Sequence, residues 1–152
     1  MRVPVELADE QDRPVDAEDL LSLAHHVLQQ RRVPADMDVT LLLVDREVMA
    51  QLNATHLGKQ GPTDVLAFPI DAPGESPPDV PAVLGDVVLC PEVAAAQAAG
   101  SDRSAHEELR LLTVHGLLHL LGMDHAEPDQ EREMFALTDR LLASHRSQAS
   151  DG

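Results

Sequence analysis

The sequence predicts an α+β fold: a single domain in which a small mixed β-sheet packs with helices, one of them a central helix that carries histidines at metzincin-like ligand spacing. Three observations predict it. Apolar periodicity switches between two and 3.6 residues in the order β-α-β-α-β-β-α-α-α. Two strands follow one another with no helix between them, a hairpin-like step foreign to a regular doubly wound sheet. The chain has 152 residues with 43% hydrophobic content, enough for one core.

The elements follow in order. Val3, Val5 and Leu7 alternate and predict a short first strand. Asp16 is placed to cap a helix that carries Leu20, Leu23, Ala24, Val27 and Leu28 and stops before Pro34. Val39 to Val44 reads as a buried strand, and Asp45 caps a short helix through His56. Gly58, Gly61 and Pro62 mark a loop before a strand over Asp64–Ile70. Asp71 to Pro81 is rich in proline, which forbids regular structure there.

Gly85 to Cys90 reads as the next strand, and Pro91 opens a helix that Gly100 stops. Ser104 to Leu121 is the longest helical pattern, ended by Gly122, and Asp129 to Leu142 is the last. One metal-dependent hydrolase domain is expected over residues 1–146, with 147–152 a disordered tail.

Composition excludes several classes. The aromatics are Phe68 and Phe135, without Trp or Tyr, so the core must be aliphatic. No apolar run approaches the ~18 residues of a membrane span. The N-terminus lacks the apolar region of a signal peptide, and Cys90 is the lone cysteine, so no intrachain disulfide forms. A cytoplasmic protein without membrane association is expected. The net charge of −16 repels polyanions at long range and argues against a general nucleic-acid binder.

The chemistry is concentrated in His115-Gly116-Leu117-Leu118-His119-Leu120-Leu121-Gly122-Met123-Asp124-His125. On a helix His115 and His119 lie one turn apart on one face, the geometry two nitrogens need to grip one ion at roughly 2.0–2.1 Å. Gly122 is suited to a left-handed turn that brings His125 round as a third ligand. Three protein nitrogens leave a position open for water, as in catalytic zinc sites, where the metal lowers the pKa of water toward ~7. One zinc ion per chain on His115, His119 and His125 is therefore expected.

The spacing equals that of the metzincin pattern H-E-x-x-H-x-x-G-x-x-H, but Gly116 stands where a metalloprotease has its general-base glutamate. A protease is therefore the runner-up. Asp124 is the candidate catalytic residue, either as a general base or, the favoured reading, as a residue that orients the His125 imidazole. His25, His26, His56, His106 and His145 share no ligand spacing and read as surface or packing residues, with His56 the least settled because it precedes a glycine loop. Asp64 and Asp86 read as buried strand-end residues that tie loops near the site.

HGLLHLLGMDH resembles the signature of the YbeY family of bacterial rRNA-maturation endoribonucleases, H-G-x-L-H-L-x-G-y-D-H. Leu52-Asn53 followed by Pro62-Thr63-Asp64-Val65-Leu66-Ala67-Phe68-Pro69 resembles the family's L-N and P-T-D-V-L-S-F-P. Leu84-Gly85-Asp86-Val87 and Met134-Phe135 resemble its L-G-D-I and M-F. The resemblance implies an α+β fold, a metal on the three histidines, and a single-strand-specific metal-dependent endoribonuclease of small-subunit rRNA maturation and ribosome quality control.

Two positions depart from the family pattern: Leu57 stands where the family often has an arginine, and Ala67 replaces the serine of L-S-F. Lys59 is left to supply a cation there, or is a solvated loop residue. Other candidates for a local basic patch are Arg31, Arg32, Arg103 and Arg110. The expected partners are precursor rRNA and the small ribosomal subunit, whose basic proteins would recruit an acidic enzyme. A non-catalytic ribosome-assembly factor with a structural metal is the alternative from a different class.

Overall fold

The computed structural model describes residues 3–73, 82–123 and 126–151. The elements are β1 (Val5–Glu10), α1 (Ala17–Gln30), β2 (Met37–Val44), α2 (Arg46–Leu57), β3 (Val65–Pro69), β4 (Ala82–Leu89), α3 (Pro91–Ala99), α4 (Ala105–Leu120) and α5 (Pro128–Asp151). The predicted order and the α+β class hold. Asp16 and Asp45 cap α1 and α2, each accepting a backbone N–H from three residues on. Ser104 and Glu107 close a reciprocal capping box at the start of α4.

The sheet order is β1-β2-β4-β3, parallel except for β3, which runs antiparallel to β4. β4 therefore pairs back on β3, which is left as an edge; most of the proline-rich stretch between them, residues 74–81, lies outside the described residues. Alternation along β2 divides the core. Val39, Leu41 and Leu43 face the larger cluster, built with Leu20, Leu23, Leu117 and Met134 from α1, α4 and α5. Val44, Leu66, Val88 and Cys90 face the smaller cluster, completed by Met49 and Leu52 of α2.

Three features differ from the sequence reading. β4 begins at Ala82 rather than Gly85. Gly85 lies inside the strand at a bulge, where the register against β2 skips Leu84. Its φ of +151° suits glycine, and a Cβ there would stand 2.4 Å from the Phe68 carbonyl oxygen. Asp86 is consequently mid-strand opposite Phe68 and half-buried, not a strand-end residue.

The third difference is α5, which continues as helix to Asp151, through the segment read as a disordered tail. Polar contacts hold the turn just beyond Leu142. Ser22 Oγ lies 2.9 Å from His145 Nε2, and Ser144 Oγ lies 2.7 Å from His26 Nε2. Arg110 of α4 reaches both His145 Nδ1 at 3.1 Å and Asp19 at 2.6 Å, and His106 meets the same Asp19 oxygen at 2.6 Å. Burial alone would raise the Asp19 pKa, but its bonds to Arg110 and His106 leave it below the ordinary value. Burial and the Arg110 charge lower that of His145.

Candidate metal centre and groove

α4 supplies the central histidines. From Leu112 to Leu120 every position is buried except His115 and His119, which are half-buried. Their four-residue spacing puts both on the stripe of the helix that opens to solvent. The helix ends as the glycine predicted. Gly122 has φ +91°, its N–H donates to the His119 carbonyl at 3.0 Å, and the Met123 N–H donates to the Leu118 carbonyl at 3.0 Å. This is a Schellman turn, which sends the chain back over the helix end. Asp124 and His125, the expected catalytic residue and third ligand, lie outside the described residues. Among the described residues no group of three His, Cys, Asp or Glu side chains gathers at one point.

Gly116 has a steric reason to be glycine. A Cβ there would stand 2.5 Å from Val87 Cγ1 and 3.2 Å from Val65 Cγ2. The helix backbone lies directly on the β3–β4 pair, beneath the histidines. A glutamate at 116 would have to displace Val87, so the protease base has no room.

His115 and His119 open into a groove of about 710 Å³ that runs across β3. The last turn of α2 and the loop after it form the opposite wall, with Asn53, His56, Leu57, Lys59 and Thr63. Asn53 is buried and donates to the Gly61 carbonyl at 2.9 Å, which pins the loop to the helix. Asp64 accepts the Val65 N–H at 2.7 Å and the Thr63 hydroxyl at 3.3 Å, so it ties the loop as expected while also lining the groove. The His56 ring meets Phe68 nearly edge-on, with centroids 4.9 Å apart. On the α4 side the Phe135 ring lies 5.3 Å from that of His115.

The structure sorts the other candidates. Lys59, Leu57 and Ala67 all line the groove, with Leu57 52% exposed. Arg103 is paired with Glu108 at 2.8 Å, and Arg110 is buried against Asp19, so these two leave the basic patch proposed for them. Arg31 and Arg32 follow the end of α1 and do not line the groove. Cys90 is buried at the start of α3, where burial pushes its thiol pKa up, and it too is absent from the groove wall. His26, His106 and His145 are the packing residues the sequence suggested. His56 proves to be a groove residue, and its one sequence signal was its place just before the glycine loop.

The solution structure of TM1509 from Thermotoga maritima superposes with a TM-score of 0.61 over 97% of this chain and 95% of that one, at 23% identity. It is thus a likeness of fold. The protein of Salinispora tropica called Endoribonuclease YbeY is 53% identical, covering 96% of this chain and 98% of its own length. Proteins of the same name from Thermobifida fusca and Mycobacterium tuberculosis are each 48% identical, covering 93% and 91% of this chain and 94% and 81% of their own. Residues 6–146 match the family described as Endoribonuclease YbeY, and this chain belongs to that family.

Proposed function

We propose that this protein cleaves single-stranded RNA with a metal ion, expected to be zinc, held by His115, His119 and His125, and that precursor rRNA of the small ribosomal subunit is its substrate. The observation that carries the reading is the pair His115 and His119, half-buried on one stripe of an otherwise buried stretch of α4 and both lining the groove. Membership of the family makes the chain an endoribonuclease, an enzyme that breaks phosphodiester bonds within RNA.

The donor set suits a transition metal. Two imidazole nitrogens one helical turn apart are common zinc ligands, and His125 follows the Gly122 turn that would return it to the site. When bound, the metal supplies Lewis acidity at the scissile phosphate. The chain's own groups do the rest. Lys59, the single lysine of the sequence, offers its ammonium to a phosphate oxygen from the opposite wall. Asp64 accepts from both Val65 and Thr63 on its Oδ1, which fixes the carboxylate at the loop and suits it to shaping that loop. Asp124 is assigned the orienting of the His125 imidazole.

Acidic surface and ribosomal substrate are reconciled by recruitment: basic ribosomal proteins would bind the chain of net charge −16 and bring its groove to the RNA. No helix among the described residues is long and apolar enough to cross a membrane. The test is cleavage of single-stranded and duplex RNA by purified protein, with chelator and after return of zinc. Loss with chelator, recovery with zinc and preference for single strands are expected. Cleavage indifferent to chelator would overturn the metal assignment. Small-subunit particles should be cut better than free RNA, and equal rates would remove recruitment.

A further inference from the structure

Phe68 and Phe135 are the two aromatic residues of a chain without Trp or Tyr. An aliphatic core had no need of either, yet each stands beside a histidine of the groove. Phe68 is half-buried in the smaller core cluster, with His56 against it. Phe135 differs. It projects from α5, is 44% exposed, and lies against His115 with the ring planes inclined at 52°. An aromatic ring left in water forfeits hydrophobic stabilisation, and this one does so next to the candidate metal centre.

Electrostatics leaves RNA affinity unexplained. Among the described residues Lys59 is the one Lys or Arg lining the groove, and Asp64 stands on the same wall. Of the arginines, Arg46, Arg103, Arg110, Arg132 and Arg146 are each paired with a carboxylate. Phosphate attraction is therefore weak on an acidic chain. Stacking of an unpaired base on an aromatic ring needs no charge, is indifferent to sequence, and is denied to duplexes, whose bases are already stacked.

We propose that Phe135 is a stacking platform for one unpaired nucleobase of the RNA, beside His115, and that it supplies both affinity and preference for single strands. The inference rests on the RNA reading above. The base lies over the exposed face of the ring, on the α4–α5 side of the groove, while its phosphate is directed across β3 toward Lys59. A base held in a helix could not reach Phe135 without unpairing.

The test measures binding rather than turnover. The full chain is titrated with a single-stranded 2′-O-methyl RNA decamer, its integrity checked on a gel, and with decamers carrying one abasic residue at each position in turn. One abasic position should weaken binding to the parent by about 5- to 150-fold, the range carried by one base–aromatic stack. Phe135→Leu should weaken the intact decamer by the same factor and abolish the abasic penalty, whereas Phe135→Tyr should keep both. If the leucine variant does not fold, Phe135→Met replaces the ring by a flexible apolar chain. A penalty that persists without the ring, or no sensitive position in the parent, overturns the proposal. A parent that neither binds nor cuts single-stranded RNA defeats the RNA reading itself. A parent that cuts RNA but shows no ring-dependent penalty defeats the stacking role alone.

Discussion

Gly116→Ala puts one methyl group where α4 meets the sheet, and the two effects that decide the outcome have opposite signs. Alanine favours helix over glycine by about 1 kcal/mol. The new Cβ would stand 2.5 Å from Val87 Cγ1 and 3.2 Å from Val65 Cγ2. Val87 is fully buried, stiff at χ1, and held in register by Leu41 of β2 on one side and Ala67 of β3 on the other. It cannot turn aside without moving the strand, so overpacking should cost about 1–3 kcal/mol. The net expectation is a loss of up to about 2 kcal/mol, or a fall in Tm of roughly 2–4 °C per kcal/mol at this chain length. Urea unfolding of the parent, Gly116→Ala, Val87→Ala and the double variant reads it directly. Val87→Ala alone should cost about 2 kcal/mol, from two lost methyl groups and a cavity. The double variant should be more stable than the sum by at least about 1 kcal/mol, because the new methyl fills the space vacated. A Gly116→Ala protein as stable as the parent, with additive effects, would refute the close packing inferred at this position.

Other consequences follow from the same structure. Burial and Arg110 hold the folded-state pKa of His145 below its ordinary value of 6.5. The folded chain therefore resists its protonation, so its contribution to stability is complete above pH 6.5 and is lost as pH falls through the lowered value. Stability should decline on acidification below pH 6.5, by at most about 1.4 kcal/mol per pH unit per proton, and His145→Gln should flatten that slope in urea midpoints taken from pH 7.5 to 5. An unchanged slope would clear His145 of the effect. Lys59→Ala should lower the slope of log K against log salt for single-stranded RNA by about 0.7, the share of one phosphate contact, and an unaltered slope would make Lys59 a solvated loop residue.

Much of the fold was legible because apolar spacing recorded it. The interior residues of α1 and β2, the caps Asp16 and Asp45, and the stop at Gly122 each have a local physical cause that a sequence displays. The misread boundaries share a different cause. Gly85 read as the start of a strand, and the bulge that places it inside one exists only against β2 and Phe68. The end of α5 was missed because Ser144 and His145 secure it through hydrogen bonds to His26 and Ser22, and polar contacts leave no apolar period.

The candidate site divides in the same way. His115 and His119 were visible as a spacing on one helix. His56 and Phe135 come from α2 and α5, and only the packing of those helices brings His56 into the groove and Phe135 against His115. Arg103 and Arg110 looked available for RNA until Glu108 and Asp19 accounted for them. The protease alternative rested on ligand spacing, and the contact between Gly116 and Val87 gives the steric reason its missing glutamate cannot be supplied.

The central claim is that the groove histidines of α4 hold the metal that drives RNA cleavage. The rate of single-stranded RNA cleavage by His119→Ala, beside the parent and at matched helical content by circular dichroism, tests it most directly. His119 is half-exposed at the groove rather than in the core, so the variant should fold. A loss of at least about 100-fold is predicted, since several kcal/mol of transition-state stabilisation depart with the ligand. A folded His119→Ala protein that cuts RNA at the parental rate would contradict the account.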